Sequence, residues 1–65
     1  MKLYFLQSNG ERRFLQDCAD EKEAWHVIHN FCEERNFHIY YIRSWTENGE
    51  TWYDVGSHTE FFILI

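Results

Sequence analysis

The spacing of apolar residues predicts a helix near the middle of the chain. Between residues 20 and 37, Ala24, Ile28, Phe31 and Cys32 recur at intervals of three and four, while polar side chains occupy the other side. This pattern is typical of an amphipathic helix with one face on a hydrophobic core. We therefore expect a helix over residues 20–37.

Residues at both ends of this segment support the same helix. Asp20 is a good N-cap because its carboxylate can accept hydrogen bonds from the first-turn amides, and Glu23 suits a capping box. Asn36 suits the left-handed position after a helix, and Phe37 can fold back on Cys32 or Phe31 as in a Schellman motif. The helix should begin after Asp20 and end near Asn36.

Strand patterns on either side of an Asn-Gly pair predict an N-terminal hairpin from residues 1–7 and 12–18. A two-residue type I′ turn at Asn9 and Gly10 sets Phe5 opposite Phe14 and Leu6 opposite Arg13. Both faces of this hairpin are then partly apolar. One face carries Leu3, Phe5 and Phe14, and the other carries Tyr4, Leu6 and Leu15.

A second Asn-Gly turn, in residues 47–50, predicts another hairpin from residues 37–45 and 51–56. The register sets three pairs opposite each other: Trp45 and Trp52, Arg43 and Asp54, and Ile42 and Val55. A cross-strand Arg–Asp pair belongs near water, so we expect the Arg43 and Trp45 face to point outward. Ile42 and Val55 should then face the helix.

Residues 60–65 form a last predicted strand that ends Phe-Phe-Ile-Leu-Ile. A strand apolar on both faces is either central in its sheet or covered by another subunit. The second alternative is a homodimer through this C-terminal strand. The whole order is β-β-α-β-β-β, an α+β fold with one largely antiparallel sheet and a single helix packed on one face.

The composition is that of one small aromatic-rich domain spanning residues 1–65. The chain has three Trp, four Tyr and six Phe, which supply a large apolar surface for its size. It shows neither a membrane-spanning run nor a signal-peptide pattern. Two cysteines without a secretion signal indicate a reducing cytoplasm with free thiols.

The negative charge is concentrated in and around the predicted helix. Residues 17–34 contain six acidic residues and one lysine, a local charge equal to the formal net charge of −5 for the chain. A solvated helix face that keeps a small protein soluble is one interpretation. The other is a negative patch, including Glu23, Glu33 and Glu34, that docks on a basic surface of a partner.

Two groups of residues suggest catalytic or metal chemistry, and neither meets the geometric requirements. His26, His29 and Cys32 rotate around the helix, and Cys18 precedes it, so four tetrahedral zinc ligands do not converge. Ser57 and His58 are adjacent in a turn, whereas nucleophilic catalysis needs a serine bonded to an oriented histidine. We expect core cysteines, no metal, no cofactor and no enzymatic activity.

The outward face of the second hairpin is the candidate binding surface. Tyr41, Trp45 and Trp52 could stack nucleic-acid bases, but such binders also need a basic track, and the chain is acidic. The same aromatic residues beside Arg43 match the residue types enriched at protein interfaces. Packing of these aromatics against the other strands is the structural alternative.

Two stretches, SNGERRFL at residues 8–15 and DVGSHTEFF at residues 54–62, resemble segments of small uncharacterised phage and prophage proteins of Gram-positive bacteria. The resemblance implies a setting in the cytoplasm of a bacterial host and a role as a small modulating factor. It implies no activity.

Together these patterns predict a non-enzymatic, phage-encoded protein that binds a host or phage protein. The predicted binding residues are Tyr41, Arg43, Trp45, Trp52, Glu23, Glu33 and Glu34. The alternative is a single-stranded nucleic-acid-binding module that uses the same sheet aromatics.

Overall fold

The computed structural model of the protein describes residues 1–40, 42–56 and 59–65. Within these residues the elements follow the predicted order β-β-α-β-β-β. They are β1 (Lys2–Leu6), β2 (Arg12–Asp17), α1 (Glu21–Glu34), β3 (Arg43–Glu47), β4 (Glu50–Asp54) and β5 (Phe61–Leu64). The α+β fold class is confirmed.

In the described part of the chain, the five strands form one antiparallel sheet with the order β2-β1-β5-β4-β3. The C-terminal strand β5 is therefore central, and β1 and β4 bond to its two edges. This position accounts for its apolar sequence on both faces, because a central strand has little contact with water.

The N-terminus of α1 is capped as predicted. The Asp20 carboxylate accepts a hydrogen bond from the amide of Glu23, with an N–O distance of 2.9 Å. Glu21 and Glu23 place negative charge in the first turn, where the helix dipole favours it. The cap fixes the start of the helix at Glu21.

The C-terminus of α1 forms the predicted Schellman motif, although the helix itself ends at Glu34. Asn36 has a φ of 57°, and its amide donates to the carbonyl of Glu33 at 3.2 Å. The Phe37 amide donates to the Cys32 carbonyl at 2.8 Å. These two bonds satisfy carbonyls of the last turn and redirect the chain toward the sheet.

The core lies between α1 and one face of the sheet. Ala24, Ile28 and Cys32 on α1 are buried, as the sequence predicts. The Phe31 ring lies 4.7 Å from that of Phe5 and 5.6 Å from that of Phe62. At the other end of the helix, the centroids of Trp25 and Tyr53 are 4.8 Å apart. These contacts identify Phe5, Phe62 and Tyr53 as members of the helix-covered face.

The predicted register of the first hairpin is wrong by one residue for the pairs next to the turn. Phe5 lies opposite Arg13 and Leu6 opposite Arg12. The Gln7 amide donates to the Glu11 carbonyl at 2.8 Å, so the loop has three residues rather than two. Gly10 has a φ of 89°, which fits a three-residue loop that ends with a left-handed glycine.

The altered register exchanges the two faces of β2 over residues 12–15. Phe14 lies opposite Tyr4, and the shift in pairing between Leu3 and Tyr4 leaves room for an extra residue on β2. Leu15 consequently packs against the core, whereas Phe14 shares a face with Tyr4. A one-residue slip reverses the side chains, which is why both assignments change, and the irregularity between Leu3 and Tyr4 ends the slip, so that Leu3 lies opposite Gln16.

The second hairpin forms with the predicted turn and register. Asn48 and Gly49 have φ values of 52° and 77°, as a type I′ turn requires. Trp45 lies opposite Trp52, and Arg43 lies opposite Asp54. Both predicted pairs are confirmed.

The segment before β3 differs from the prediction of a strand over residues 37–45. Residues 37–40 have no regular secondary structure, and β3 begins only at Arg43. The Tyr40 amide donates to the Val55 carbonyl, but β4 ends at Asp54 and offers no long edge for pairing. Val55 is buried as expected, whereas Ile42 is 47% exposed, so its predicted burial under the helix is wrong.

Candidate functional site

The sheet face opposite α1 is the candidate site. Alternation along the strands places one set of side chains on this face, because paired residues in neighbouring strands point the same way. We call this set the open sheet face. Its members are Lys2, Tyr4, Leu6, Arg12, Phe14, Asp17, Arg43, Trp45, Glu47, Glu50, Trp52, Asp54, Phe61, Ile63 and Ile65.

Two groups of aromatic rings lie on the open sheet face. Trp45 and Trp52 are stacked, with centroids 6.0 Å apart and an interplanar angle of 20°. Phe61 on β5 meets both indoles edge-on, at 6.2 and 5.9 Å. On the other side of the face, the rings of Tyr4 and Phe14 are 5.6 Å apart. The predicted tryptophan pair thus packs against the C-terminal strand, which is the structural alternative named above, and Tyr4 and Phe14 form a separate aromatic group on the first hairpin.

An Arg–Asp pair borders the tryptophans, as the sequence predicts. Arg43 Nη2 lies 3.2 Å from Asp54 Oδ2, and the guanidinium lies 5.3 Å from the Trp45 ring centroid. The other Asp54 oxygen accepts a hydrogen bond from the Gly56 amide at 2.9 Å. Asp54 is only 4% exposed, while the Arg43 side chain reaches into solvent. The pair holds a cation against the aromatic surface.

A second ion pair crosses the open sheet face. Arg12 Nη1 lies 2.6 Å from Glu50 Oε2, and Nη2 lies 3.2 Å from Oε1. The guanidinium is also 5.9 Å from the Trp52 ring centroid. The hydrogen bonds from Arg12 lower the pKa of the Glu50 carboxyl. The sequence prediction missed both residues, because their proximity depends on a strand order that brings β2 and β4 to one sheet.

The indole nitrogen of Trp52 belongs to this arrangement. It is buried and makes no hydrogen bond within the described part of the chain. The indole NH is near enough to Glu50 to lower the pKa of that carboxyl further, without meeting hydrogen-bond geometry. Trp52 is therefore half-buried under its neighbours rather than laid flat on the surface.

The structure separates the predicted site residues into two layers. Arg43, Trp45 and Trp52 lie together on the open sheet face. Glu23, Glu33 and Glu34 lie on α1, which packs against the other face. One flat interface cannot include both groups. Tyr41, the remaining predicted binding residue, lies outside the described residues.

The residues considered for metal binding or catalysis do not converge where the structure describes them. No three His, Cys, Asp or Glu side chains in residues 1–40, 42–56 and 59–65 approach as metal ligands do. Cys18 and Cys32 are free and buried in the core, and burial raises the pKa of both thiols. Ser57 and His58 lie outside the described residues.

A small cleft on the helix side offers little room for a ligand. It is lined by Phe5, Cys32, Phe37, Val55, Glu60 and Phe62 and has a volume of about 10 Å³. That volume is near the minimum for one water molecule. The candidate surface is therefore the open sheet face and not this cleft.

Comparison of the chain with family models, curated proteins and solved structures found no significant match. The resemblance to phage proteins consequently stays a prediction. Among the described residues, no helix is long and apolar enough to cross a membrane.

Proposed function

We propose that the protein is a non-enzymatic binding module whose open sheet face contacts another polypeptide. The supporting observation is the presence of two aromatic groups on this face, Tyr4 with Phe14 and Phe61 with the tryptophan pair. Phe14 is 49% exposed although it lies beside Tyr4 on this face. The other described rings of the face are half-buried, and aromatic residues beside arginines are typical of protein interfaces.

The charges on the open sheet face favour a protein over a nucleic acid. Binders of single strands use unpaired cations to follow the phosphates. Arg12 and Arg43 instead pair with Glu50 and Asp54 on the same face, and Lys2 lies opposite the acidic residue Asp17. A nucleic acid would have to compete with these carboxylates, so single-stranded nucleic-acid binding is the second candidate.

The separation of the two layers also defines the role of the acidic helix. Glu33 and Glu34 are exposed on the side of the molecule away from Trp45 and Trp52. In this proposal, the open sheet face supplies the contact area and the acidic helix stays in solvent or approaches a different surface. The proposed setting is the cytoplasm of a bacterial host carrying a phage, on the basis of the sequence resemblance.

A matched pair of variants tests the proposal. Phe14→Glu adds a charge to the open sheet face, whereas Ile42→Glu adds the same charge elsewhere at similar exposure, 49% against 47%. Ile42 precedes β3 and is not among the residues of the open sheet face. Each variant and the unmodified protein serve as tagged baits in nuclease-treated bacterial lysate. Circular dichroism first establishes that each bait is folded.

The expected result is a stoichiometric protein captured by the unmodified bait and by Ile42→Glu and lost with Phe14→Glu. Equal capture by all three baits contradicts the proposed surface. Retention that requires omission of the nuclease, and that falls steeply with salt, supports the nucleic-acid alternative. Trp52→Ala should also weaken binding, but Trp52 is half-buried, so Phe14 gives the cleaner measurement.

A further inference from the structure

Within the described residues the sheet ends at two edge strands, β2 and β3, and these edges differ. All five residues of β3 pair in register with β4, whereas the ladder of β2 is interrupted by the irregularity between Leu3 and Tyr4. Bulges, prolines and lysines are the features that usually prevent another strand from pairing with an edge. Strand β3 has none of them, and its two charges lie at its ends. The sheet can therefore be extended at β3.

The outer side of β3 offers backbone groups for such an extension. In the described part of the chain β3 pairs with β4 alone, and no other segment bonds to the backbone of Ser44 or Thr46. The two-residue turn makes Glu47 and Glu50 a hydrogen-bonded pair, and bonded and non-bonded pairs then alternate along the hairpin. The amides and carbonyls of Ser44 and Thr46 consequently point away from β4.

These outward groups restrict how a second β3 strand can pair. In an antiparallel ladder, hydrogen bonds form where two outward-pointing residues lie opposite each other. When Ser44 of one copy lies opposite Thr46 of the other, a two-fold axis passes beside Trp45 and about four backbone hydrogen bonds form. This register also pairs all five residues of one strand with all five of the other.

The same register brings opposite charges together. Arg43 of each copy lies opposite Glu47 of the other, so an Arg–Glu pair forms on both sides of the axis. Trp45 lies opposite Trp45 in a non-hydrogen-bonded pair, where side chains are closest and aromatic contacts are favourable. These three residues belong to the open sheet face, so their contacts form on one side of the extended sheet.

Arg43 and Glu47 are both available for these contacts. One nitrogen of Arg43 lies 3.2 Å from Asp54, and 67% of the side chain is exposed, so other guanidinium N–H groups can donate. Glu47 lies opposite Glu50, and like charges in that position repel. Arg12 pairs with Glu50, whereas Glu47 forms no ion pair with any described residue. An arginine from a second copy would offset this repulsion.

We infer that β3 pairs antiparallel with β3 of a second copy of the chain, in the register that sets Trp45 opposite Trp45. An antiparallel strand that complements β3 in charge and aromatic contact has the sequence Arg-x-Trp-x-Glu, which is the sequence of β3 itself. This self-complementarity favours a second copy over an unrelated strand. The inference goes beyond the proposed function and does not depend on it, because it uses the edge of the sheet.

This arrangement keeps the acidic helices apart. Helix α1 contacts β5, which is two strands away from β3 in the sheet. The β5 strands of the two copies are then five strand spacings apart, or roughly 24 Å. That distance is about three times the Debye length of about 8 Å at physiological ionic strength. Repulsion between the two helices is therefore largely screened.

The small size of the contact predicts a weak dimer. Two strands of five residues meet through backbone hydrogen bonds, one aromatic pair and the Arg–Glu pairs. Interfaces that bury less than about 1,200 Å² are typical of weak or transient association. We expect a Kd between about 10 μM and about 1 mM.

Sedimentation equilibrium from about 5 μM to about 1 mM tests for the dimer. The average mass of the unmodified protein should rise from one copy toward two. Glu47→Arg places an arginine opposite Arg43 of the other copy, so this variant should stay monomeric. Circular dichroism and thermal unfolding establish that each variant is folded.

Glu11→Arg is the matched control. Glu11 is an exposed acid directly before β2, and its replacement changes the net charge by the same amount as Glu47→Arg. Both substitutions make the net charge of −5 less negative, so general repulsion between copies should decrease in both. Glu11→Arg should therefore dimerise at least as well as the unmodified protein. Loss of the dimer in Glu47→Arg alone would identify the specific Arg–Glu pair.

Hydrogen exchange of the unmodified protein locates the contact without any substitution. The Trp45 amide bonds to β4 in every copy, whereas the Ser44 and Thr46 amides bond only in the dimer. Between about 50 μM and about 1 mM, exchange of Ser44 and Thr46 should slow by about two-fold or more. Exchange of Trp45 should not depend on concentration, and Glu47→Arg should show no slowing.

The outcomes separate this inference from the proposed function. A purified protein that is monomeric up to about 1 mM overturns the second copy as occupant of the edge. A dimer without slower exchange at Ser44 and Thr46 overturns the assigned strand, and a dimer that persists in Glu47→Arg overturns the register. Phe14→Glu should keep the dimer, because Phe14 lies on β2. Loss of a lysate partner in that variant therefore bears on the proposed function alone.

Discussion

Arg12 and Glu50 lie on β2 and β4, with β1 and β5 between them, yet their side chains form two hydrogen bonds. Three strand spacings correspond to about 14 Å, so the pair spans the open sheet face rather than joining neighbouring strands. The guanidinium lies near the Trp52 ring on the way. The centre of the face is closed beneath these side chains, and Ile63 is 0% exposed.

This ion pair should make stability depend on pH in the acidic range. Arg12 lowers the pKa of Glu50 in the folded state, so the contribution of the pair is present above the unfolded pKa of about 4.3. It is lost as the pH falls through the folded pKa. Glu50→Gln should lower the urea midpoint of unfolding at pH 7. The difference in midpoint between Glu50→Gln and the unmodified protein should become smaller below about pH 5.

Glu47→Gln is the control, because Glu47 lies directly opposite Glu50 in the second hairpin. The urea midpoint of Glu47→Gln should not fall at pH 7, because this substitution leaves the Arg12–Glu50 pair intact. Parallel pH curves for Glu50→Gln and the unmodified protein would show that the pair contributes nothing in solution.

Gly56 should tolerate alanine less well than Gly10. Both glycines have positive φ values, 100° and 89°, at which alanine is strained by about 1–2 kcal/mol. A Cβ at Gly56 would lie 2.9 Å from Cβ of Tyr40, whereas a Cβ at Gly10 has nothing within 4 Å. We expect Gly56→Ala to lose about 1–3 kcal/mol of unfolding free energy beyond the loss at Gly10.

Urea unfolding of the two alanine variants gives this difference. Gly56→Ala in a Tyr40→Gly background should recover most of the excess, because the opposing Cβ is gone. Equal losses at Gly10 and Gly56 would mean that the chain around Tyr40 moves aside easily.

The two Asn-Gly turns show how far local sequence determines this fold. Asn48 and Gly49 both adopt positive φ and form the predicted two-residue turn, so the register of β3 and β4 follows. At the first turn only Gly10 has a positive φ, and the Asn9 side chain accepts a hydrogen bond from the Glu11 amide at 3.0 Å. The same dipeptide supports both loops, and packing of the flanking strands decides between them.

The composition of the candidate site was predictable only in part. Trp45, Trp52, Arg43 and Asp54 belong to one hairpin, where the turn sets the register. To predict that Phe14 lies on the same face, one must know that β5 lies between β1 and β4. No local sequence pattern specifies this long-range pairing. Residues 37–40, which form no strand, illustrate the same limit, because strand propensity produces a strand only beside a partner strand.

Removal of the helix cap should destabilise the protein by about 1 kcal/mol. The Asp20 carboxylate bonds to the Glu23 amide, and replacing such a cap by alanine typically has this effect. In a domain of this size the change corresponds to a fall of about 4–8 °C in Tm. Asp17→Ala, an exposed acid at the end of β2, is the control and should change Tm much less. Equal shifts in the two variants would assign the effect to net charge rather than to the cap.

Tyr53→Phe should stabilise the protein, although it removes a hydroxyl group. Tyr53 is 2% exposed, and its hydroxyl makes no hydrogen bond with the described residues. A buried polar group without a partner costs about 1–3 kcal/mol, so its removal should raise the unfolding free energy by about 1 kcal/mol.

The alkaline range gives this substitution a second signature. Burial raises the pKa of Tyr53 above its unfolded value of about 10. The contribution of this pKa difference to the unfolding free energy is therefore complete below about pH 10 and is lost as the pH rises through the folded pKa. Tyr53→Phe should not show this loss of stability. A separate fall in stability that begins near pH 8.5 should remain, because burial also raises the pKa of Cys18 and Cys32. Tyr4→Phe, on the open sheet face, controls for the loss of a hydroxyl. Urea midpoints from about pH 7 to 11 measure both effects. A lower midpoint for Tyr53→Phe at pH 7 would show that the hydroxyl is hydrogen-bonded in solution.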